Sequence, residues 1–246
     1  MISDETKRKL RELNLDELID ILEIQDNSPT LYTGMAFDER LNMAIDSLYQ
    51  QKNNSRAKRL MKQARFRFSD ADVNTIYYAD RGLDKNQIIE LATCQYIRNN
   101  TSLILNGFTG SGKTFLACAL GKAACRQLYR VRYIRMPDLL ELRDEAMGEG
   151  HGISKLVTRF SNYHLLVLDE WLMSELSDEE SHFILELIEK RYDTKSTIFC
   201  TQQKVSDWHS RLGGGTLADA IMDRIVHNCI RIGTGNLNMR EIFSGH

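Results

Sequence analysis

Two different patterns of apolar residues divide the chain near residue 100. In the first part, apolar residues recur at helical spacing, and Pro29 interrupts the recurrence. The pattern predicts one helix before this proline, a longer helix from Asp38 to about residue 68, and another helix over residues 85–97. The apolar positions that carry the pattern are Leu10, Leu13, Leu18, Ile21, Leu22, Leu41, Ile45 and Leu48. The N-terminal part is therefore predicted to be all-helical.

Short apolar runs replace this pattern from residue 101 onwards. They alternate with helical segments, which favours a parallel sheet covered by helices on both faces. The predicted strands are residues 102–106, 131–136, 164–169, 196–201 and 229–233, and the predicted helices lie near residues 113–128, 138–160, 178–192 and 217–228. The sequence thus predicts an α/β fold in three segments: a helical N-terminal domain (1–69), a linker with a first helix (70–100) and the α/β domain (101–246).

A glycine-rich segment, GFTGSGKT, joins the first predicted strand to the helix that follows. It matches G-x-x-x-x-G-K-[ST], a loop whose backbone N–H groups bind phosphate oxygens at a helix N-terminus. Lys113 is placed to reach the β- and γ-phosphates of ATP, and the Thr114 hydroxyl to bind Mg²⁺. The residues predicted to contact ATP in this segment are Gly107, Phe108, Thr109, Gly110, Ser111, Gly112, Lys113, Thr114 and Phe115.

Two acids end another apolar strand, HLLVLDE, 56 residues after Lys113. Asp169 is placed to hold Mg²⁺ directly or through water, and Glu170 to polarise the water that attacks the γ-phosphate. Without the glycine-rich loop, two acids at a strand end would be read as ordinary solvated residues. With it, they predict a catalytic pair.

Hydrolysis also requires a group that orients water and positive charge near the γ-phosphate. Gln202 directly follows the strand 196–201 and is a candidate for orienting water. Arg224 and Arg240 are candidates for the positive charge, although each alone would more often be a surface ion-pair partner.

The net charge of −2 hides a strongly basic middle: residues 1–46 sum to −6, residues 47–137 to +11 and residues 138–246 to −7. No acid occurs between Ser47 and Ser69 or between Leu91 and Pro137. This excess predicts contacts with DNA phosphates, which position a protein without reading bases, so binding should be sequence-independent and salt-sensitive. A solvated basic face is the alternative. The candidate DNA-binding residues are Arg56, Lys58, Arg59, Lys62, Arg65, Arg132 and Arg135.

Several protein classes are disfavoured by the composition. No stretch approaches 18 apolar residues, so no transmembrane helix is expected, and the start lacks a secretory signal pattern. The five cysteines include no C-x-x-C pair, which disfavours a disulfide framework or a zinc motif. A cytoplasmic protein with reduced thiols is expected.

The motifs together resemble the IstB-like transposition helper ATPases, AAA+ proteins close to the DnaC-type helicase loaders. The resemblance covers nearly the whole chain, and its main segments are GFTGSGKTFLACALGKAAC, LYRVRYIRMPDLL, LLVLDEW, STIFCTQQKVSDWH and TLADAIMDRIVHN. It implies an AAA+ P-loop NTPase core whose five-stranded parallel sheet has the strand order 5-1-4-3-2.

The resemblance also implies roles for single residues. Lys113, Thr114, Asp169 and Glu170 carry over as nucleotide and metal residues. Gln202 matches the sensor 1 position. Arg224 matches the arginine finger that reaches the neighbouring subunit's site, and Arg240 resembles a sensor 2 arginine that contacts the nucleotide of its own subunit.

The expected partners follow from the same resemblance. They are double-stranded DNA, a transposase encoded with the protein, and further copies of the chain that share ATP sites between subunits. A replicative helicase is the alternative client. Two rival functions remain open from the residues alone: a small-molecule kinase, and a DNA scaffold that binds ATP without turnover.

Overall fold

Among the described residues before Arg59, all regular secondary structure is helical, as the apolar periodicity predicts. The helices are α1 (Asp4–Glu12), α2 (Asp16–Asn27), α3 (Pro29–Tyr32) and the start of a long helix, α4 (Phe37–Ala64). The Ser3 side chain caps α1 by accepting a hydrogen bond from the Thr6 N–H. Ser28 and Pro29 separate α2 from α3, because a proline has no N–H with which to continue a preceding helix.

The computed structural model describes residues 2–32, 34–79, 81–148 and 150–244, and the side chains of residues 243 and 244 are not described. Its contacts divide the chain into two units, Met1–Lys58 and Arg59–His246. This division lies within α4. The three functional segments predicted above, with bounds at residues 69 and 100, stay predictions.

A five-stranded sheet is the centre of the second unit. Its strands are β1 (Ser102–Asn106), β2 (Val131–Arg135), β3 (Leu165–Asp169), β4 (Ser196–Thr201) and β5 (Cys229–Gly233). The strand order is β2-β3-β4-β1-β5, and every pair is parallel. Read from the other edge, this is the predicted order 5-1-4-3-2, which is therefore confirmed.

The helices of the second unit cover both faces of this sheet. They are α5 (Lys85–Ala92), α6 (Gln95–Arg98), α7 (Lys113–Arg126), α8 (Met136–Met147), α9 (Gly152–Ser161), α10 (Asp178–Arg191), α11 (Trp208–Arg211), α12 (Gly215–Val226) and α13 (Met239–Ser244), with single 3₁₀ turns at Val73–Thr75 and Val205–Asp207. Among the residues that the structure describes, no helix is both long and apolar enough to cross a membrane.

The helix predicted over residues 138–160 is in fact two helices, α8 and α9. Gly148 and Gly150 lie in the break, and His151 has a left-handed backbone with φ of 61°. Glycine weakens a helix because its backbone loses more conformational freedom on folding. The apolar periodicity continues across the break and therefore did not indicate it.

Successive side chains of each strand point to opposite faces of the sheet, so a hydrophobic core forms on each face. Leu103 and Leu105 of β1 face a core shared with α5 and α7, whereas Ile104 faces a core shared with α8 and α10. In β3, every residue is buried, as expected for a strand covered on both faces. Because the strands are parallel, the carboxyl ends of β1, β3 and β4 lie side by side and bring the segments that follow them together.

Candidate active site

The glycine-rich loop lies between the end of β1 and the start of α7. Gly110 and Gly112 have φ of 86° and 87°, a left-handed conformation that glycine adopts without strain. A Cβ at Gly110 would lie 2.2 Å from Oδ1 of Asn238, so the loop fits closely against the C-terminal segment. The loop therefore presents its backbone at the N-terminus of a 14-residue helix, where anions are favoured.

Lys113 is buried at the centre of this loop. Its Nζ donates hydrogen bonds to the carbonyl oxygens of Gly107 (2.6 Å) and Phe108 (2.8 Å). Burial lowers the pKa of Lys113, and the positive charge of Arg240 acts in the same direction, whereas Cys200 and Asp169 oppose it. Arg240 and Lys113 also line the same cleft.

Asp169 ends β3 as a buried acceptor of three hydrogen bonds. Its Oδ2 accepts from the hydroxyls of Thr114 (2.8 Å) and Tyr133 (2.7 Å), and its Oδ1 accepts from the N–H of Glu170 (2.9 Å). Burial raises the pKa of Tyr133 far above its usual value, and the negative charge of Asp169 adds to this, so the tyrosine remains a donor. The carboxylate is therefore fixed against the loop.

The Thr114 hydroxyl and the Asp169 carboxylate form an oxygen pair suited to Mg²⁺. Magnesium in nucleotide sites takes one or two protein oxygens and completes its shell with phosphates and water. Within the described part of the chain there is no cluster of three or more His, Cys, Asp or Glu side chains that would hold a metal ion by itself. The donor set therefore fits a metal that arrives with a phosphate ligand.

Glu170 lies next to Asp169 but in a different environment. Its backbone is left-handed, with φ of 57°, and its carboxylate lies 3.6 Å from Arg67 and 3.7 Å from Arg135. Arg135 also forms an ion pair with Asp138. The structure thus places Arg135, predicted above to contact DNA, beside Glu170, because the register of β2 and β3 sets Arg135 opposite Asp169.

Gln202 follows β4 and contacts the phosphate loop. Its Oε1 accepts a hydrogen bond from the Thr109 hydroxyl (2.7 Å), and its Nε2 lies 3.2 Å from Sδ of Met173. The neighbouring Gln203 accepts a hydrogen bond through its carbonyl from the Asn106 side chain. The side chain of residue 202 therefore contacts the loop.

A cleft of about 610 Å³ opens beside the loop. Besides loop residues and Arg240, it is lined by Ile76, Tyr77, Arg81 and Phe115. Arg81 is buried and donates hydrogen bonds to the carbonyls of Tyr77, Ser111 and Thr234. This bonding ties the segment before α5 to the loop and gives the cleft a fixed wall.

Sequence reasoning missed several residues of this site. They are Arg67, Ile76, Tyr77, Arg81 and Tyr133. The sequence pattern indicated the position of Tyr133. Tyr133 lies two residues after Val131, and both side chains therefore belong to the face of β2 that turns toward α7. Arg81 had none, because its bonds to the loop and to the C-terminal segment join residues 30 and 153 positions away.

Arg224 is not brought to the loop of its own chain. It lies near the end of α12, where it donates hydrogen bonds to Glu189 Oε1 (2.8 Å) and to the Ala220 carbonyl (2.9 Å). Its surroundings include Ser102 and Thr197, which belong to the beginnings of β1 and β4. The loop follows the carboxyl end of β1. Arg224 therefore lies at the other end of the strands, near their amino ends.

The predicted DNA-binding residues fall into three environments. Five are exposed, namely Arg56, Lys58, Arg59, Lys62 and Arg65. Arg135 lies beside Glu170, as described above. Arg132 is only 7% exposed, in contrast to the five exposed residues.

The fold and the loop together define the protein class. A parallel sheet with β1 between β4 and β5, and a phosphate loop that leads from β1 into α7, is the core of an AAA+ P-loop protein. The chain belongs to the family of IstB-like ATP binding proteins, whose sequence profile matches residues 8–243.

Similar proteins have names that refer to insertion sequences. One relative, named as the insertion sequence ATP-binding protein y4uH of Sinorhizobium fredii, is 32% identical over 246 residues, 98% of this chain and 97% of that protein. Another, named for insertion sequence IS1162 of Pseudomonas fluorescens, is 35% identical over 203 residues, 82% of this chain and 87% of that protein.

Solved structures show the same fold. The DnaC helicase loader has a TM-score of 0.55 and 26% identity, covering 66% of this chain and 97% of that chain. AMPPCP-bound DnaA from Aquifex aeolicus has a TM-score of 0.58 and 17% identity, covering 72% of this chain and 55% of that chain. The likeness to DnaA concerns the fold alone.

Proposed function

We propose that the protein is a Mg²⁺-dependent ATPase of DNA transposition, which assembles on double-stranded DNA and recruits or stimulates a transposase encoded with it. The observation that carries this proposal is the match, along 98% of the chain, to a protein named as an insertion sequence ATP-binding protein. Loading of a replicative helicase is the second candidate, and the likeness to the DnaC helicase loader favours it.

The chemistry would be hydrolysis by an activated water. Lys113 and the loop N–H groups would hold the β- and γ-phosphates, and Thr114 and Asp169 would hold Mg²⁺, which would supply positive charge to the phosphates. Glu170 accepts the proton of the attacking water. Gln202 orients that water from its position beside Thr109.

Turnover would depend on a second subunit. Arg224 lies near the amino ends of the strands, whereas its own loop lies at their carboxyl ends. It can therefore supply positive charge only to the site of a neighbouring copy. An interface that repeats head to tail in this way generates a ring or a helical filament. Oligomerisation along DNA would then complete each active site.

Two surface features support the proposed partners. The exposed basic residues of α4 suit contact with DNA phosphates. In the first unit, an apolar stripe of α4 is exposed at intervals of four residues and suits a protein partner: Phe37, Leu41, Ile45 and Tyr49.

The central experiment measures phosphate release from ATP with and without duplex DNA and with and without the transposase. We expect Mg²⁺-dependent turnover that rises when either partner is added. Stimulation by a replicative helicase and not by the transposase would favour helicase loading. Transfer of phosphate to a metabolite, or ATP binding with no turnover under any condition, would contradict the proposal.

Charge reversal on α4 tests the DNA contact. A triple variant, Arg56→Glu, Arg59→Glu and Lys62→Glu, is expected to weaken duplex binding at least about tenfold and to flatten its salt dependence, because each lost phosphate contact removes about one unit of slope. Binding is measured by fluorescence anisotropy at several salt concentrations.

The matched control makes the same charge change elsewhere, with Lys85→Glu, Lys190→Glu and Lys204→Glu, all exposed side chains. It should bind duplex DNA nearly as the unmodified protein does. If both triple variants lose the same affinity, net charge and not the α4 surface governs binding.

A further inference from the structure

Four arginines with no acidic partner surround the edge strand β2. Arg65 directly follows α4, Arg130 directly precedes β2, Arg132 lies in β2, and Arg159 lies on α9. Their side chains form no hydrogen bond and no ion pair with any described residue. Arg65, Arg130 and Arg159 are exposed, whereas Arg132 is buried, and a guanidinium group removed from water is normally paired with an acceptor.

Arg132 is the most enclosed member. The residue is 7% exposed, and its Nε is buried without a hydrogen-bond partner. Burial lowers the pKa of Arg132, the charges of Arg65 and Arg159 lower it further, and only Tyr163 opposes them. No carboxylate compensates this guanidinium, so its positive charge is available to an external anion.

Aromatic rings organise the rest of the cluster. The guanidinium of Arg159 lies 5.5 Å from the ring centre of Phe160, and that of Arg130 lies 5.6 Å from the ring centre of Tyr163. The two rings are 6.1 Å apart. Stacking on a ring leaves the edge of a guanidinium free to donate hydrogen bonds.

This cluster is separate from the ATP site. Successive side chains of a strand point to opposite faces, and Tyr133, the next residue after Arg132, points to the face that holds Asp169. Arg132 therefore faces away from the phosphate loop. Loop phosphates are not its ligand.

We propose that Arg65, Arg132 and Arg159 form a binding site for a backbone phosphate of double-stranded DNA at the open edge of β2. The proposal rests on the proposed function, since it names where the bound duplex continues beyond α4. Arginine suits the ligand because its planar fork donates two hydrogen bonds to one phosphate group. Arg65 also follows directly on α4, whose exposed Lys62 would contact a neighbouring phosphate.

Single substitutions test this site in the full-length protein. Arg159→Gln and Arg132→Gln are compared with Arg231→Gln, which removes an exposed arginine from β5, the opposite edge strand of the sheet. Affinity for a fluorescent duplex is measured at several salt concentrations, and folding is checked by circular dichroism. Arg159 is exposed, so its variant tests the site even if the Arg132 variant fails to fold.

We expect Arg159→Gln and Arg132→Gln to weaken duplex binding several-fold and to lower the salt slope by about one unit each, and Arg231→Gln to change neither. Unchanged affinity and slope in Arg159→Gln, while the unmodified protein binds the duplex, would refute this site and leave the proposed function standing. Absence of duplex binding by the unmodified protein would refute both.

Free inorganic phosphate offers the same chemical group as a DNA backbone phosphate, and a second experiment distinguishes the two ligands. In a Lys113→Ala background, which removes the loop lysine, phosphate is expected to leave the melting temperature nearly unchanged at constant ionic strength. A phosphate-dependent rise that Arg132→Gln abolishes, together with unchanged duplex affinity, would assign the site to free phosphate and overturn the DNA assignment.

Discussion

A Glu170→Gln variant is expected to bind ATP as the unmodified protein does, while its turnover falls by about 10²- to 10⁴-fold, the usual contribution of a general base. The amide keeps the shape of the side chain but cannot accept the proton of the attacking water. Asp169, which holds the Thr114 hydroxyl, is untouched, so the metal and phosphate contacts remain. Binding is measured with a fluorescent ATP analogue, and turnover by phosphate release.

A Lys113→Ala variant provides the contrast. Its Nζ lies at the centre of the loop, 2.6 Å from the Gly107 carbonyl, so its loss removes the main positive charge available to the phosphates. Nucleotide binding and turnover should therefore fall together. Glu175→Gln, an exposed change five residues after Glu170, is the matched control and should retain both. Turnover of Glu170→Gln within a few-fold of the unmodified protein would show that another group activates the water.

Two arginines beside Glu170 affect how its carboxylate can bind the attacking water. Arg67 and Arg135 lie 3.6 and 3.7 Å from its carboxylate. A carboxylate held by two guanidinium groups has fewer free lone pairs for water. Arg67 lies two residues after Arg65, so a duplex that engages Arg65 would act close to one of the two guanidinium groups beside Glu170.

The strands and the phosphate loop were predictable because their signals are local. The run SLILN alternates between two buried faces, and GFTGSGKT specifies a backbone shape within eight residues. The same holds for Asp169 and Glu170, whose position follows from the strand that they end. The strand order came from the family resemblance and not from the apolar pattern, because periodicity contains no information on which strands are neighbours.

The remaining features depend on contacts between distant parts of the chain. Arg132 and Arg135 looked alike in the sequence, as two cations of one basic run. The structure buries one beside α9 and sets the other beside Glu170, because the pleat and register of β2 assign them different surroundings. Charge counting therefore identified an excess of positive residues but not the separate sites to which they belong.

Mixed oligomers test the proposed role of Arg224 in a neighbouring site. Arg224→Ala and Glu170→Gln are each expected to be inactive, since an arginine finger contributes about 10³- to 10⁵-fold to turnover. When the two proteins are mixed, an Arg224→Ala subunit keeps its own Glu170 and receives Arg224 from a Glu170→Gln neighbour. With random assembly, about one quarter of the interfaces regain a complete site, and activity should recover to that order.

Two controls separate this result from simpler causes. In a mixture of Lys113→Ala with Glu170→Gln, every subunit carries a defect in its own nucleotide site that a neighbour cannot supply, so no site is complete and no recovery is expected. Glu189→Gln removes the ion pair of Arg224 without removing its charge, and its turnover should stay close to that of the unmodified protein. If Glu189→Gln is as inactive as Arg224→Ala, the arginine acts through its own subunit's structure.

If the mixture of Arg224→Ala with Glu170→Gln stays inactive while both proteins enter one oligomer, Arg224 does not serve a neighbouring site, and the dependence of turnover on assembly must come from another residue.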